Sequence, residues 1–299
     1  MTPAALSLQP SVDPCGPVVG DVTIAPVRPL LEDVLTGRNR ATWMAGDFDK
    51  IAAGYAAGAA AFVERVGVNI GDNVLDVATG AGNLAFPAAR LGGIVTGIDI
   101  APNLVARARA KAAAGKLDII FDEGNAESLP YATGIFKTVM SMFGVMFVPR
   151  PERALAEMLR VTRPGGRIAT ASWTPEGFIG KVLKAHTAYV APAPGVPSPL
   201  VWGDEAQMRE RLEAFAGRIR HVKFTKRTIA FAFPITPGGV VELFREYYGP
   251  SIRTFAALDA AGRGALEAKL IDLWSSRNVA HAGSTYVEAE YLEVKLTVS

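Results

Sequence analysis

The stretch from Val74 to Ala85, VLDVATGAGNLA, decides the fold. It begins as a short apolar run around a single acid, Asp76, as in a strand that is covered on both faces. Gly80 and Gly82 then form a turn in which the backbone can approach a ligand without a Cβ in the way. The helix expected to follow offers unpaired N–H groups at its start, so the stretch predicts a βαβ unit that binds a ligand at this turn.

The alternation of short apolar runs with Ala/Leu-rich stretches continues from residue 70 to residue 175 and predicts a mostly parallel sheet. Two further alternating runs near the C-terminus add two late strands. The fold class is therefore α/β, with a doubly wound sheet of seven strands. The predicted strands are Asn73–Val77, Ile94–Ile98, Leu117–Phe121, Phe136–Ser141, Arg167–Trp173, Arg220–Phe233 and Tyr286–Val298.

Helical additions are expected before the sheet and between its late strands. The Ala-rich segment Trp43–Val66 predicts N-terminal helices, of which Trp43–Tyr55 is expected to form a lid over the cofactor. The segment from about Thr236 to Arg277 predicts a helical insertion. Insertions of this kind carry specificity while the sheet stays fixed. We expect a flexible Pro-rich arm over 1–35, then one domain over 36–299, with a cofactor-binding half at 70–175 and substrate-cap elements at 36–66 and 176–282.

Composition limits the partners. The 299 residues hold 31 Lys and Arg against 29 Asp and Glu, a net charge of +2 without a run of five like charges, which disfavours nucleic acid. The longest run without Asp, Glu, Lys or Arg, Ala185–Gly203, contains four prolines, so no membrane span is expected. The single cysteine, Cys15, and the absence of Lys and Arg from the first 27 residues favour a cytoplasmic protein without a signal peptide.

A second acid follows at the spacing of a ribose ligand. Asp99 lies 17 residues after Gly82, at the end of the second predicted strand, where a carboxylate can accept both ribose hydroxyls. Gly80–Ala85 also fits the G-x-G-x-x-A fingerprint, so an NAD(P)-dependent oxidoreductase is one interpretation. Asp76 opposes it, because a carboxylate before the turn repels a pyrophosphate and attracts the ammonium of an amino-acid moiety.

Further motifs lie after the third and fourth predicted strands and before the fifth. Together with Asp76–Asn83 and Asp99, they resemble class I S-adenosylmethionine-dependent methyltransferases, in the ubiquinone/menaquinone C-methyltransferase-like branch. The resemblance covers most of the chain, and it implies a Rossmann-like methyltransferase fold, S-adenosylmethionine as the cofactor and a small-molecule methyl acceptor. The other segments that carry it are Trp43–Phe48, Gly124–Pro130, Ser141–Gly144, Arg160–Gly166 and Tyr291–Val294.

The resemblance also implies roles for individual residues. The turn Thr79–Asn83 would hold the methionine part of the cofactor, and Asp99 would hold the ribose. Asn125 and Ala126 would meet the adenine. Ala78 departs from the glycine common at its position, and Asn125 from the aspartate. The predicted cofactor-binding residues are Asp76, Ala78, Thr79, Gly80, Gly82, Asn83, Asp99, Ile100, Asn125, Ala126, Glu127, Ser141 and Phe143.

Methyl transfer from a sulfonium is an in-line displacement, so the protein must align the reactants, exclude water and, where needed, remove one proton. His186 is the predicted general base, because its segment follows the fifth strand on the side where parallel strands open toward ligand. His281 is the second candidate, and His221 is expected to be structural within the sixth strand. No cluster of His, Cys, Asp or Glu has metal-ligand spacing, so no metal is predicted.

Aromatic and thioether side chains near these motifs suit an apolar or aromatic acceptor and can face a cationic sulfonium. They are Trp43, Phe48, Tyr55, Phe143, Met146, Phe147 and Trp173, with Phe244, Tyr247, Tyr248 and Phe255 in the insertion. Whether O, N or C is methylated stays open. A catalytically silent S-adenosylmethionine-binding partner subunit is a further alternative, and a homodimer is compatible with the sequence.

Overall fold

The computed structural model describes residues 31–281 and 283–299, in which seven strands form one sheet. The strands are β1 (Asn73–Val77), β2 (Ile94–Asp99), β3 (Ile119–Glu123), β4 (Phe136–Met142), β5 (Thr162–Trp173), β6 (Ile219–Phe233) and β7 (Thr285–Val298). The helices are α1 (Leu31–Met44), α2 (Phe48–Ala52), α3 (Ala56–Val66), α4 (Ala85–Arg90), α5 (Pro102–Gly115), α6 (Pro151–Val161), α7 (Phe178–Tyr189), α8 (Glu205–Glu213), α9 (Pro237–Tyr247), α10 (Gly249–Ala256) and α11 (Ala260–Arg277). Short 3-10 turns occupy Ala53–Tyr55, Val145–Phe147, Pro199–Trp202 and Ala216–Arg218.

The strand order, β3-β2-β1-β4-β5-β7-β6, fixes where a ligand can bind. Strands β1 to β5 are parallel, and β7 runs antiparallel to both β5 and β6. The chain builds the sheet outward from β1 through β2 to β3 and then returns to place β4 on the other side of β1. The carboxyl ends of β1 and β4 therefore border a topological switch point, which is where open α/β sheets bind their ligands.

The predicted α/β class and the seven-stranded, mostly parallel sheet are confirmed, with differences at element ends. The third strand lies two residues later than predicted, because α5 ends at Lys116 in a left-handed conformation (φ 50°) and Leu117 donates back to Ala112. The fifth strand begins early, at Thr162, since residues 163–166 bulge out of the ladder between two paired stretches. Of the arm predicted at 1–35, residues 1–30 lie outside the described residues, and 31–35 belong to α1.

Two glycines let the N-terminal helices approach β6. A Cβ built on Gly54 would overlap the ring of Phe233, and one built on Gly58 would overlap the side chain of Ile229. The ring of Tyr55, next to Gly54, packs edge-on against Phe231 of the same strand, with ring centroids 5.2 Å apart. The helices that precede the sheet are thereby held against its edge strand, β6, and they cover the carboxyl end of the sheet.

We expect Gly54→Ala to destabilise the protein, because an extra methyl group in a filled interior costs about 1–3 kcal/mol. Gly37→Ala is the matched control: Gly37 lies in α1 with nothing within 4 Å of a Cβ, so alanine there is expected to stabilise the helix by up to about 1 kcal/mol. Urea unfolding of both variants measures the difference. Equal stability of the two variants would contradict the close packing of Gly54.

Candidate active site

The glycine turn after β1 exposes its backbone to a cleft at the carboxyl end of the sheet. Ala78, Gly80 and Gly82 all have left-handed backbones, with φ of 56°, 56° and 92°. A Cβ on Gly80 would meet nothing within 4 Å, so any side chain there would project into the cleft. The turn is fixed by hydrogen bonds from Thr79 N–H to Ile98 O (3.0 Å) and from Gly82 N–H to Thr79 O (2.9 Å).

The Asp99 carboxylate ties the end of β2 to this turn. Its Oδ2 accepts from the Gly80 N–H at 2.8 Å and its Oδ1 from the Ala101 N–H at 2.9 Å. Burial raises the pKa of Asp99, and the backbone N–H groups of Ala101, Gly80 and Ile100 oppose that rise. A carboxylate oxygen has two lone pairs, so each oxygen can still accept one hydrogen bond from a ligand.

Asp76 lies at the end of β1, 1% exposed, below the same turn. Its Oδ2 accepts from Thr79 Oγ1 at 2.6 Å, and the N–H groups of Ala85 and Leu84 also point to it. Burial raises the pKa of Asp76 to about 7, the charge of Asp99 adds to the rise, and the hydrogen bonds limit it. The charged and neutral forms of Asp76 are therefore both populated near neutral pH.

Most of the predicted cofactor residues line one cleft. Those that do are Asp76, Ala78, Thr79, Gly80, Asn83, Asp99, Ile100, Asn125, Ala126 and Phe143. They come from the ends of β1, β2, β3 and β4, which are far apart along the chain. The parallel order of these strands brings their carboxyl ends to one edge of the sheet.

Three predicted residues lie beside the cleft instead of lining it. Gly82 faces the ring of Phe86, which a Cβ would meet at 2.5 Å. The Ser141 hydroxyl is fully buried and donates to Val77 O at 2.7 Å, which joins β4 to β1. The Glu127 carboxylate accepts from the backbone N–H and the Nε of Arg150, at 2.7 and 2.6 Å, just before α6. These three residues support the residues that line the cleft, and they do not line it themselves.

An aromatic chamber forms the other end of the cleft. Trp43 of α1, Phe48 of α2, Tyr55 and Phe143 line it. Phe143 has a left-handed backbone (φ 58°), and its N–H donates to Ala171 O at 2.8 Å. Three other predicted aromatic residues, which do not line the cleft themselves, contact this wall. Trp173 stacks on Phe143 with centroids 3.5 Å apart, Phe147 contacts Trp43 edge-on at 5.0 Å, Tyr248 lies 6.0 Å from Trp43, and Met146 is 1% exposed.

Sequence reasoning missed part of the lining, most clearly Asn39 and Gly144. Asn39 lies one helical turn before Trp43 in α1, and its Oδ1 accepts from Trp43 Nε1 at 3.1 Å. The i, i+4 spacing of Asn39 and Trp43 would indicate this contact, but the composition predicts a helix only from Trp43 onward. Gly144 packs against the Ala78 side chain, which its Cβ would meet at 2.6 Å.

The structure does not support His186 as a general base. It lies in α7, outside the cleft, and 6% of its surface is exposed. Nδ1 is 2.8 Å from Val182 O, and because a carbonyl can only accept, Nδ1 carries the proton and Nε2 accepts from Ser251 Oγ at 2.9 Å. Both nitrogens are occupied by this link between α7 and α10. His281 lies in the loop before β7, and His221 lies in β6 as predicted.

Among residues 31–281 and 283–299, no helix combines the length and the apolar character that crossing a bilayer requires. The same residues contain no group of three or more His, Cys, Asp or Glu side chains arranged to hold a metal ion.

Comparison with known proteins identifies the family. The family described as "Methyltransferase domain" matches residues 75–170. The uncharacterized protein Rv1403c of Mycobacterium tuberculosis is 38% identical over 222 residues, which cover 74% of this chain and 80% of that protein. The ubiquinone/menaquinone biosynthesis C-methyltransferase UbiE of Methylobacterium nodulans is 37% identical over 172 residues, 52% of this chain and 66% of that protein. A putative methyltransferase of Bacillus halodurans C-125 has the same fold, with a TM-score of 0.54 at 18% identity, over 81% of this chain and 98% of that one.

The chain belongs to the class I S-adenosylmethionine-dependent methyltransferases. It transfers a methyl group from S-adenosylmethionine to a small-molecule acceptor, and the predictions of family, cofactor and reaction are confirmed. The NAD(P)-dependent oxidoreductase and the silent binding module gain no support from these findings.

We expect His186→Ala to lower the free energy of unfolding by about 1–3 kcal/mol, since it leaves the buried Ser251 hydroxyl without its partner. Burial holds the pKa of His186 below its usual 6.5. Below pH 6.5 the unfolded chain binds more protons than the folded one, so the stability due to neutral His186 is fully present above pH 6.5 and is lost as the pH falls from there through the lower pKa of the folded protein.

Urea unfolding of the wild type, His186→Ala and the control His221→Ala at pH 5.5 and 7.5 checks this. The wild type and the control should lose more stability at pH 5.5 than His186→Ala does, and all three should bind S-adenosylhomocysteine. A His186→Ala variant that is fully stable but no longer binds S-adenosylhomocysteine would place His186 in the site.

Proposed function

We propose that the cleft holds S-adenosylmethionine across its length and presents the methyl group to an apolar, aromatic acceptor in the chamber. The observation that carries this proposal is that the acid-bordered glycine turn and the aromatic wall line one cleft. The methionine part lies along the turn Thr79–Asn83 and the ribose hydroxyls meet Asp99. The cofactor, when bound, supplies a methyl group on a positively charged sulfur, and the chain's residues supply orientation and exclusion of water.

The turn fits an amino-acid-bearing nucleoside. The open space above Gly80 leaves room for a ligand against the backbone. Asp76 and Asp99 give this end of the cleft negative character, which suits an ammonium and hydroxyl donors and disfavours a pyrophosphate. No lysine or arginine is among the residues that line the cleft, so nothing on its wall would neutralise phosphate groups.

Asn125 supports an adenine position beside Ala126. Its Oδ1 accepts from the Glu127 N–H at 3.0 Å, which fixes the orientation of the amide. Within the described residues the Asn125 amide NH₂ has no hydrogen-bond partner, and it is the group available to an acceptor nitrogen of the adenine ring. Asparagine at this position therefore acts as a donor, where an aspartate would accept.

The chamber supports an apolar acceptor with aromatic character. Its walls are aromatic rings that meet edge to face, such as Trp43 and Phe48 at 5.7 Å and Tyr55 and Phe143 at 5.6 Å. Rings of a flat acceptor can enter such an arrangement edge-on or stacked. The same π faces stabilise the sulfonium charge before transfer.

The proposed function is tested with methyl-labelled S-adenosylmethionine and a fractionated metabolite extract. We expect label to enter the apolar, ultraviolet-absorbing fraction with the wild type. Asp99→Ala should abolish transfer and most of the thermal stabilisation by S-adenosylhomocysteine, which for a ligand at about 100 times its Kd is about 2.7 kcal/mol.

Asp118→Ala is the matched control, because Asp118 is an exposed acid just before β3 and should leave both readouts unchanged. Label that appears only in polar amines would contradict the acceptor class. Full stabilisation of Asp99→Ala by S-adenosylhomocysteine would contradict the ribose assignment.

Cofactor affinity should rise with pH through the titration of Asp76. In the free protein the pKa of Asp76 is raised to about 7 by burial, and a bound cofactor brings positive charge near it, which lowers that pKa. A ligand that lowers a pKa binds tighter to the deprotonated protein, so the Kd for S-adenosylmethionine should fall between about pH 6 and 8.

Titration calorimetry at pH 6, 7 and 8, in two buffers of different ionisation enthalpy, measures both the Kd and the proton released. Asp76→Asn keeps an oxygen acceptor for Thr79 and removes the titrating group, so it should flatten the pH dependence and remove the proton release. The same pH dependence in Asp76→Asn and in the wild type would show that the titrating group belongs to the cofactor.

A further inference from the structure

Tyr55 occupies the point where the lid meets the sheet. It ends the 3-10 turn Ala53–Tyr55, is 5% exposed and lines the chamber. Its ring packs edge-on against Phe143 at 5.6 Å, Trp173 at 6.5 Å and Phe231 at 5.2 Å, which lie just after β4, in β5 and in β6. A ring held from three sides has a fixed direction, so the position of its hydroxyl is fixed as well.

The Tyr55 hydroxyl has no hydrogen-bond partner within residues 31–281 and 283–299. Other tyrosines of the chain show the contrast: the Tyr131 hydroxyl donates to Asp122 at 2.8 Å, and the Tyr291 hydroxyl accepts from Arg65 at 2.7 Å. The fully buried, unpaired polar atoms of the described residues belong to other side chains, so the oxygen of this hydroxyl is accessible from the cleft that Tyr55 lines. A ligand atom in the cleft can therefore accept a hydrogen bond from it.

The surroundings keep this hydroxyl neutral. Burial raises the pKa of Tyr55, and the neighbouring Tyr248 and Asp49 add to the rise. Asp49 is itself paired with Lys111 at 2.5 Å, and Tyr248 is buried with a raised pKa of its own. The rings of Phe143, Trp173 and Phe231 that pack against Tyr55 carry no charge. Tyr55 is therefore a hydrogen-bond donor at physiological pH and cannot act as a base.

The cleft offers no other group to take a proton from the acceptor. Its lining includes no His, Lys, Arg, Cys or Glu, and its titratable residues are Asp76, Asp99 and Tyr55. Both aspartates are hydrogen-bonded to the glycine turn and its flanks, at the cofactor end. A hydroxyl acceptor therefore finds no free base on the cleft wall, and its proton must go to solvent.

We propose that Tyr55 is a catalytic residue that donates a hydrogen bond to the oxyanion of an ionised aromatic hydroxyl acceptor. This inference rests on the proposed function and names the acceptor's chemistry. The acceptor releases its proton to solvent on binding. An oxygen lone pair then attacks the methyl carbon, the C–O bond forms as the C–S bond breaks, and the bonding pair stays on sulfur. The products are a methyl ether and S-adenosylhomocysteine.

The charge balance of the chamber fits this step. With no cationic side chain on the cleft wall, the sulfonium itself is the counter-charge of the oxyanion. Opposite charges attract strongly where water is excluded, and both are neutralised as the methyl group moves. A neutral donor such as Tyr55 orients the oxyanion and favours the ionised form of the acceptor, and it adds no second positive charge beside the sulfonium.

The test uses 4-nitrophenol, whose ionised form absorbs visible light, with nitrobenzene as the probe that lacks the hydroxyl. The protein is first loaded with sinefungin, which carries an ammonium in place of the methylated sulfonium, and loading is measured by thermal shift. Absorbance is then titrated against pH and probe concentration for the wild type, Tyr55→Phe and the control Tyr189→Phe, which removes an exposed hydroxyl at the end of α7.

We expect the wild type and Tyr189→Phe to bind 4-nitrophenol ionised, with the probe's pKa lowered by about one unit or more. Tyr55→Phe should bind the ionised probe about 10- to 100-fold more weakly, the usual effect of losing a hydrogen bond to a charged group, and should bind nitrobenzene as the wild type does.

The outcomes separate this inference from the proposed function. Failure of the wild type to bind sinefungin overturns the proposed function itself. With sinefungin bound, the Tyr55 proposal is overturned if the wild type does not bind 4-nitrophenol, if it binds the neutral form, or if Tyr55→Phe binds the ionised form equally well. Loss of sinefungin binding in Tyr55→Phe also overturns it, because Tyr55 would then serve the cofactor.

Discussion

The site depends on one buried carboxylate that joins two strand ends. Asp99 accepts hydrogen bonds from Gly80 on the turn after β1 and from Ala101 on the turn after β2, and it leaves one lone pair on each oxygen free. Without this contact the Gly80 N–H, on the left-handed part of the glycine turn, would lose its hydrogen-bond acceptor. The cost of burying an acid is thus offset by two backbone donors, and the same acid remains able to bind a ligand.

The chamber depends on a strained residue that its surroundings hold in place. Phe143 adopts a left-handed backbone, which is unfavourable for a residue with a bulky side chain. Its N–H donates to β5, its ring stacks on Trp173, and Tyr291 meets it edge-on at 5.5 Å. Tyr291 is in turn hydrogen-bonded to Arg65 of α3, so this side of the chamber is linked to the N-terminal helices. Strain that persists in this way is typical of ligand-binding sites.

The sequence predicted the cofactor end of the site better than the acceptor end, for a physical reason. Asp76, the glycine turn and Asp99 lie at strand ends, and the parallel order of the strands alone brings them together. The position of His186 outside the cleft could not be predicted, because its partner Ser251 lies 65 residues further on and no local pattern shows that the two meet. Glu127 was expected on the cofactor, but Arg150 of the segment before α6 occupies it. The place of Asn39 in the cleft lining could not be predicted, because α1 begins at Leu31, well before the segment whose composition indicates a helix.

The lid and the insertion are joined backbone to backbone, and this limits how acceptor specificity can change. A Cβ on Gly46, after α1, would overlap the Tyr247 carbonyl, and one on Gly249 of α10 would overlap the Thr42 carbonyl. The Asp47 N–H also donates to Tyr247 O at 2.9 Å. A side chain at Gly46 or Gly249 would push the lid and the insertion apart, so glycine at both positions maintains their close contact. Elements of this kind can change the side chains that face a binding site while the sheet and its cofactor contacts stay as they are.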